Sequence, residues 1–267
     1  MNTQKITIIG VGNIGTAIAE GLIRSQFCQT DNLTLAKRNT STLHGFEERG
    51  VKITSDNVKA VSEADYIILA VKPFQIREIA QEIAPYMNDK KQVLISVITG
   101  VWLEDLQTLF SNDAVLFRAM PNTAAAIGES MTTIAHRNAT DEQLLFVTGL
   151  FETVGKVVTI NEQLMDAATV LGACGTAFAL RYIRANIQGG IEIGFDANTA
   201  TLIAAQTVKG AACLLLENNT HPEQEIDKVT TPKGCTIAGL NEMEHQGFSS
   251  SLIRGLKASY DKIVKEM

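Results

Sequence analysis

The sequence lacks the metal-binding and disulfide patterns on which many proteins depend. Its four cysteines are Cys28, Cys174, Cys213 and Cys235; no two form a CxxC pair, and the four histidines do not cluster with them. This spacing argues against a zinc site and against a disulfide framework. No Ser–His–Asp arrangement and no paired-carboxylate motif stands out, which disfavours a hydrolase. We therefore expect no metal in the functional site.

Positive charge is also scarce. The chain has 23 Lys and Arg residues against 29 Asp and Glu, a formal net charge of -6, and no basic cluster. This balance predicts neither a nucleic-acid partner nor binding to an anionic membrane. The longest uncharged runs, residues 6–19 and 167–180, have 14 residues each, fewer than a bilayer span needs. Because MNTQKITIIG lacks the layout of a signal peptide, we expect a cytoplasmic protein.

The first part of the chain alternates short apolar runs with helical patterns. Hydrophobic residues make up 45% of the 267 residues, enough for a sizeable core. Runs suited to buried strands occupy residues 5–9, 33–36, 66–71, 93–97 and 114–118, with helical patterns such as 74–86 and 103–110 between them. This alternation predicts a Rossmann-type doubly wound α/β domain over residues 1–160. Residues 131–135 and 156–160 could add edge strands.

The second part of the chain reads as helices alone. From residue 161 to 267 the periodic segments are 162–171, 176–187, 199–217 and 250–265, and their apolar character extends beyond one narrow stripe. Such helices need a further surface to cover them. The pattern fits an all-α domain at a subunit interface, as in a homo-oligomer, or a self-contained helical bundle.

The N-terminal run KITII leads into the glycine-rich sequence GVGNIG, which is followed by a helical pattern. In this context Gly10 permits a tight turn, Gly12 lets the backbone approach a pyrophosphate, and Gly15 lets the helix pack closely on the strand. The N-terminus of that helix offers free N–H groups to an anion. The segment therefore predicts a dinucleotide site, the alternative being a simple strand–helix turn.

The residues after the second predicted strand suggest which dinucleotide binds. An NAD site places Asp or Glu here, whereas this chain has Lys37, Arg38, Asn39 and Thr40. Two cations, an amide and a hydroxyl suit a 2′-phosphate, so we expect NADP(H) in preference to NAD(H). The alternative is a pair of solvated surface cations.

Two further stretches follow predicted strands, at the sheet edge where ligands collect in such folds. They are residues 70–73 (AVKP) and 119–123 (AMPNT), and in each a proline stops strand pairing. Lys72 and Asn122 are the polar groups there, as ligand contacts or as ordinary loop caps.

Four motifs in order, GVGNIGTAIAEGL, ADYIILAVKP, RAMPNT and TTPKGCTIAGLNEMEHQGF, make the chain resemble the pyrroline-5-carboxylate reductase family over nearly its whole length. The resemblance implies reduction of 1-pyrroline-5-carboxylate to L-proline, a step of proline biosynthesis, with NADPH or NADH. It also implies a Rossmann domain followed by a helical domain that interlocks two subunits, so a homodimer or larger homo-oligomer is expected.

The resemblance also implies roles for particular residues. Asn57 would lie near the adenosine, Arg38 near the 2′-phosphate, and Thr236 against the ring nitrogen of the substrate as the catalytic residue. The remaining cofactor contacts implied are Gly10, Gly12, Asn13, Ile14, Gly15, Ala70, Val71, Lys72, Pro73, Met120, Pro121 and Asn122. The remaining substrate contacts expected are Thr231, Gly234, Cys235 and Asn122.

The chain departs from the family pattern in its substrate half. Lys233 stands where the family has a glycine, Cys235 where it has a small Thr or Ala, and Arg184 where it usually has a glutamate. The junction at residues 173–177 lacks the usual serine and proline. The alternatives are therefore a reductase of another cyclic imine acid or of a β-hydroxyacid, or a dinucleotide-binding protein without reductase activity. Residues 167–180 contain no lysine to act as acid or base, which disfavours the β-hydroxyacid reading.

Overall fold

The computed structural model describes residues 3–266, in which eight strands form one sheet. The strands are β1 (Ile6–Ile9), β2 (Leu33–Ala36), β3 (Lys52–Thr54), β4 (Tyr66–Leu69), β5 (Val93–Ser96), β6 (Val115–Met120), β7 (Ser130–Arg137) and β8 (Gly155–Thr159). Their order across the sheet is β3-β2-β1-β4-β5-β6-β7-β8. The strands β1 to β6 are parallel to one another, β7 runs antiparallel to β6, and β8 is parallel to β7. The expected Rossmann-type α/β fold is thus confirmed.

Seven helices accompany the sheet in this part of the described chain. They are α1 (Asn13–Arg24), α2 (His44–Glu47), α3 (Asn57–Ser62), α4 (Ile76–Ile83), α5 (Leu103–Leu109), α6 (Asp141–Glu152) and α7 (Met165–Ala168). The central strands are apolar throughout because both faces of the sheet are covered. Successive residues of a strand alternate between the faces: Ile8 and Ile68 belong to one buried cluster, Ile9 and Ile67 to the other.

Two sequence expectations about strands need correction. The strand β3 was not predicted, because it has only three residues and none of them is buried. Residues 131–135 were expected as a possible edge strand, whereas β7 lies between β6 and β8; of these two added strands, only β8 is at an edge. The parallel part of the sheet ends at β6, and β7 and β8 add two further strands beyond it.

One charged side chain lies in the core of the part of the chain that the structure describes. Arg118 on β6 has no exposed surface; its guanidinium lies 3.3 Å from the Asp166 carboxylate, 3.6 Å from that of Glu162 and 4.9 Å from the centre of the Trp102 ring. Glu162 in turn accepts a 2.6 Å hydrogen bond from the Leu103 N–H. A buried charge requires such partners. Removing one partner of a buried ion pair is far more destabilising than replacing all its members by apolar residues. Arg118 therefore ties β6 to the segment that leads into the second half of the chain.

The second half contains the helices α8 (Gly175–Glu192), α9 (Ala197–Asn218), α10 (Pro222–Lys228), α11 (Cys235–His245) and α12 (Phe248–Glu266). The described chain divides into two compact units after Cys174: the second unit is Gly175–Lys262, and Ile263 and the residues after it group with the first. Asp196 caps α9, and hydrogen bonds from Thr199 lower the pKa of its carboxyl group. The expected domain boundary between residues 160 and 161 stays a prediction.

The helical unit has little core of its own. Its buried hydrophobic cluster consists of Ile187, Ala200 and Ala204 with Ile183 packed against them. Large apolar side chains are exposed on several of its helices; Leu202 and Leu216 of α9, for example, are 71% and 79% exposed. Monomeric proteins rarely leave so much apolar surface in water, so this unit presents a surface that a partner would cover.

Among the described residues, two helical stretches are long and apolar enough, by length and composition alone, to cross a membrane: Glu162–Glu192 and Ala197–Asn218. From the sequence, no stretch was expected to be long enough to span a bilayer. That expectation was wrong, because it considered only runs with no charged residue at all. The criterion is also met by helices that a soluble protein buries, so it is weak evidence for a membrane. The absence of a membrane partner stays a prediction.

Candidate cofactor and substrate sites

The glycine-rich turn between β1 and α1 is shaped by three glycines with different roles. Gly10 has a φ of +93°, and a Cβ there would lie 2.6 Å from the Ala70 carbonyl oxygen. A Cβ on Gly15 would lie 2.2 Å from the Gly10 carbonyl oxygen, so this glycine lets the helix pack against the turn. A Cβ on Gly12 would meet nothing within 4 Å. Gly12 therefore leaves open space at the helix start, where a pyrophosphate needs to approach the backbone.

The start of α1 suits an anion. Gly12 is its N-cap, no side chain among the described residues caps it, and its first turn has no acidic residue. The first N–H groups of a helix have no partner within it, and the helix dipole places partial positive charge there. Asn13 and Ile14 are the first two residues of this helix.

A groove of about 640 Å³ opens over this turn. It lies between the carboxyl ends of β1 and β4, where the strand order of the sheet reverses and where such folds bind ligands. Eleven of the expected cofactor residues line it together: Gly10, Gly12, Asn13, Ile14, Lys37, Arg38, Asn57, Ala70, Val71, Lys72 and Pro73. Gly15 lies behind the turn and contributes by packing rather than by lining.

The end of β2 places two cations at one end of the groove. The Lys37 ammonium donates a 2.9 Å hydrogen bond to the Thr42 hydroxyl, and the Arg38 guanidinium donates a 2.6 Å hydrogen bond to the Glu78 carboxylate of α4. The Arg38 side chain is 71% exposed, so its other donors face solvent. This end of the groove can hold a 2′-phosphate, as the sequence predicts.

Two more of the expected residues are positioned from neighbouring segments. The Asn57 amide donates a 2.9 Å hydrogen bond to the Glu82 carboxylate, also on α4. The Lys72 N–H donates to the Gln75 side chain, which fixes the turn after β4. Helix α4 thus places two carboxylates at this end of the groove: Glu78 contacts Arg38, and Glu82 contacts Asn57.

The stretch Met120–Asn122 is placed differently from the rest. Met120 and Pro121 are buried and do not line the groove. The Asn122 carbonyl side-chain oxygen accepts from the Ala124 N–H at 3.0 Å, and its amide donates to the Gly172 carbonyl at 3.3 Å. Asn122 caps the 3-10 turn Thr123–Ile127, as the loop-capping alternative expects. Its role in binding cofactor or substrate stays a prediction.

Several groove residues were missed from the sequence. They are Ile9, Val11, Ala36, Gln75, Ile79, Val97, Ile98 and Thr99; Thr123 also lines the groove and belongs to the predicted stretch 119–123. Val97, Ile98 and Thr99 directly follow β5, the strand next to β4, and that position was the available signal. The others are apolar neighbours of identified residues or polar residues inside turns.

The expected substrate loop lies in the helical unit, before α11. Gly234 is the N-cap of that helix, which begins at Cys235, and Thr236 is the second residue of its first turn. The Gly234 N–H donates a 2.9 Å bond to the Thr231 carbonyl, and a Cβ on Gly234 would lie 2.6 Å from the Thr231 hydroxyl oxygen. The turn therefore leaves little space for a side chain at residue 234, and the Gly234 N–H that was expected to hold the substrate carboxylate is used inside the turn. Because Gly234 holds the cap position, Thr236 is not the N-cap residue and its hydroxyl remains available for another role.

The parallel sheet, the glycine turn and the groove at the reversal of strand order together define a dinucleotide-binding oxidoreductase of the Rossmann class. Sequence and structure comparisons narrow this class. Residues 162–266 match the model for pyrroline-5-carboxylate reductase dimerisation, and residues 5–100 match the model for NADP oxidoreductase, coenzyme F420-dependent.

Full-length relatives extend the match over both halves. The chain is 44% identical to pyrroline-5-carboxylate reductase 1 of Dictyostelium discoideum over 96% of its length, although it spans only 49% of that relative. It is 40% identical to reductase 2 of the same organism, covering 99% of this chain and 93% of the relative. The structure of a pyrroline-5-carboxylate reductase from Coxiella burnetii superposes with a TM-score of 0.93 at 28% identity, covering 99% and 98% of the two chains. The chain belongs to the pyrroline-5-carboxylate reductase family.

Proposed function

We propose that this protein reduces 1-pyrroline-5-carboxylate to L-proline with NADPH, as a step of proline biosynthesis. The observation that carries the proposal is family membership at 40% identity across 99% of the chain, together with an intact glycine turn and groove. NADPH in preference to NADH is supported by Lys37 and Arg38 at the end of β2.

The groove residues fit a dinucleotide for two reasons. The space beside Gly12 is empty, and no side chain in the described structure caps the start of α1 next to it. When bound, NADPH supplies the hydride that converts the C=N bond of a protonated cyclic imine into an amine. The chain's own contribution is to bind and orient. The Thr236 hydroxyl hydrogen-bonds the ring nitrogen, and the Cys235 N–H at the start of α11 holds the substrate carboxylate.

The exposed apolar helices support a homodimer or larger homo-oligomer. The dimerisation model covers residues 162–266, which includes both of the apolar stretches long enough to cross a membrane. A cover of like helices accounts for their composition without a bilayer. A cytoplasmic location stays a prediction.

The test is an NADPH oxidation assay with 1-pyrroline-5-carboxylate beside its six-membered homologue, for wild type, Thr236→Ala and Thr236→Ser. We expect turnover with the five-membered imine, a loss of kcat of about 10- to 100-fold in Thr236→Ala, and retention of most activity in Thr236→Ser, which keeps the hydroxyl. Faster turnover of the homologue would indicate another cyclic imine acid. Tight NADPH binding without turnover of either imine would favour a dinucleotide-binding protein without reductase activity.

A further inference from the structure

The residue expected to bind the 2′-phosphate is already paired with an internal anion. The Arg38 guanidinium and the Glu78 carboxylate are 2.6 Å apart, although the two residues are separated by 40 positions in the sequence. Their side chains are 71% and 65% exposed, so the pair lies at the open end of the groove rather than in the core. Glu78 neighbours Ile79, which lines the groove.

We propose that Glu78 is a specificity-determining residue, which sets the preference between NADPH and NADH by competing with the 2′-phosphate for Arg38. This role rests on the proposed function, because it requires that the groove binds a dinucleotide with its adenosine end at Arg38. The chain has no carboxylate directly after β2, where an NAD site would have one. Helix α4 supplies one from across the groove.

The competition follows from charge. A 2′-phosphate carries about -1.5 to -2 charges at neutral pH and takes up guanidinium donors in pairs. On binding it must displace the carboxylate from Arg38 or share the guanidinium with it at a separation where like charges repel. The neutral 2′-hydroxyl of NADH makes no such demand, so NADH leaves the ion pair intact. Glu78 therefore weakens NADPH binding selectively and narrows the preference that Lys37 and Arg38 create.

Helix α4 also provides a matched control. Glu82 lies one turn further along, and its carboxylate accepts a hydrogen bond from the neutral amide of Asn57 rather than from a cation. Glu82→Gln removes the same charge from the same helix without freeing Arg38. A general change in the electrostatic potential of the groove would appear in both variants, whereas competition for Arg38 appears only in Glu78→Gln.

The experiment measures dissociation constants of NADPH, NADH, adenosine 2′,5′-bisphosphate and AMP by calorimetric titration. The proteins are wild type, Glu78→Gln, Glu82→Gln, Arg38→Ala and Arg38→Ala/Glu78→Gln, each checked by circular dichroism. In Glu78→Gln we expect the affinity for NADPH relative to NADH, and for the bisphosphate relative to AMP, to rise about three- to fivefold, the size of an exposed ion pair. Arg38→Ala should lower both ratios, and the double variant should match Arg38→Ala alone.

An unchanged ratio in Glu78→Gln, an equal rise in Glu82→Gln, or a rise that persists without Arg38 would each overturn the role of Glu78. In those outcomes dinucleotide binding by the wild type would still stand. A wild-type protein that bound neither dinucleotide would instead overturn the proposed cofactor site itself, and the role of Glu78 with it.

Discussion

The two units of this chain differ in how their apolar side chains are buried. The first has two buried hydrophobic clusters on opposite faces of a sheet, so its apolar residues are covered by its own elements. The second has a cluster of three buried residues and many exposed leucines and isoleucines. Similar apolar side chains are thus used for an internal core in one unit and for an external surface in the other. In the first unit the chain buries its own apolar residues, whereas in the second unit burial would depend on the proposed association.

The largest effect is expected when charge is placed on the exposed apolar surface of the helical unit, because this tests whether that surface holds the subunits together. Leu202 and Leu216 lie four turns apart on the same side of α9, and Leu202→Glu/Leu216→Glu would bury two unpaired carboxylates in a subunit interface. We expect the dissociation constant of the oligomer to rise by at least about 100-fold, measured by light scattering after size-exclusion chromatography. The control is Leu145→Glu on α6, which is similarly exposed at 74% but belongs to the first unit, and it should leave the oligomer intact. A stable oligomer in the α9 variant would mean that another surface holds the subunits together.

The next prediction concerns the internal core. Leu22 on α1 is fully buried, and Leu22→Ala should lower the free energy of unfolding of the first unit by about 2–5 kcal/mol. Urea unfolding, followed at two protein concentrations about tenfold apart, checks the origin of the effect. Because this core is internal, the loss should not depend on concentration, and Leu145→Ala on the surface should cost less than about 0.5 kcal/mol. A loss that varied with concentration would show that the first unit also depends on association.

Much of the first unit could be predicted from the sequence, because buried parallel strands form continuous apolar runs and the glycine turn has a distinctive spacing. The strand β3 was not predicted because it has only three residues and none of them is buried, so it gives no periodic signal. The ion pair between Arg38 and Glu78 also escaped, since only the fold brings residues 40 positions apart into contact. In the helical unit the apolar character of the helices was evident, but a sequence pattern does not say which face is covered or by what.

A third prediction separates two glycines of the cofactor turn by the space around them. Gly12→Ala should fold normally, because its Cβ meets no protein atom within 4 Å, but the methyl group would occupy the space that the pyrophosphate needs. We expect NADPH affinity to fall at least about tenfold with little change in the unfolding midpoint. Gly15→Ala should instead destabilise the first unit, because its Cβ would lie 2.2 Å from the Gly10 carbonyl oxygen. Equal behaviour of the two variants in binding and unfolding would contradict this division of roles.

The smallest effect is expected at a position with positive φ, which is a glycine in the first unit and a lysine in the second. Gly10 in the cofactor turn and Lys233 before α11 both have positive φ, +93° and +62°, yet only the first is a glycine. A non-glycine residue in the left-handed region is strained, and a cation next to a helix N-terminus also opposes the helix dipole. Lys233→Gly should therefore raise the free energy of unfolding by about 0.5–1 kcal/mol, measured by chemical denaturation. The control is Lys233→Ala, which removes the same charge but keeps the Cβ. If only the glycine variant gains free energy of unfolding, the destabilisation comes from the strained backbone. An equal gain in both variants would assign it to the charge instead.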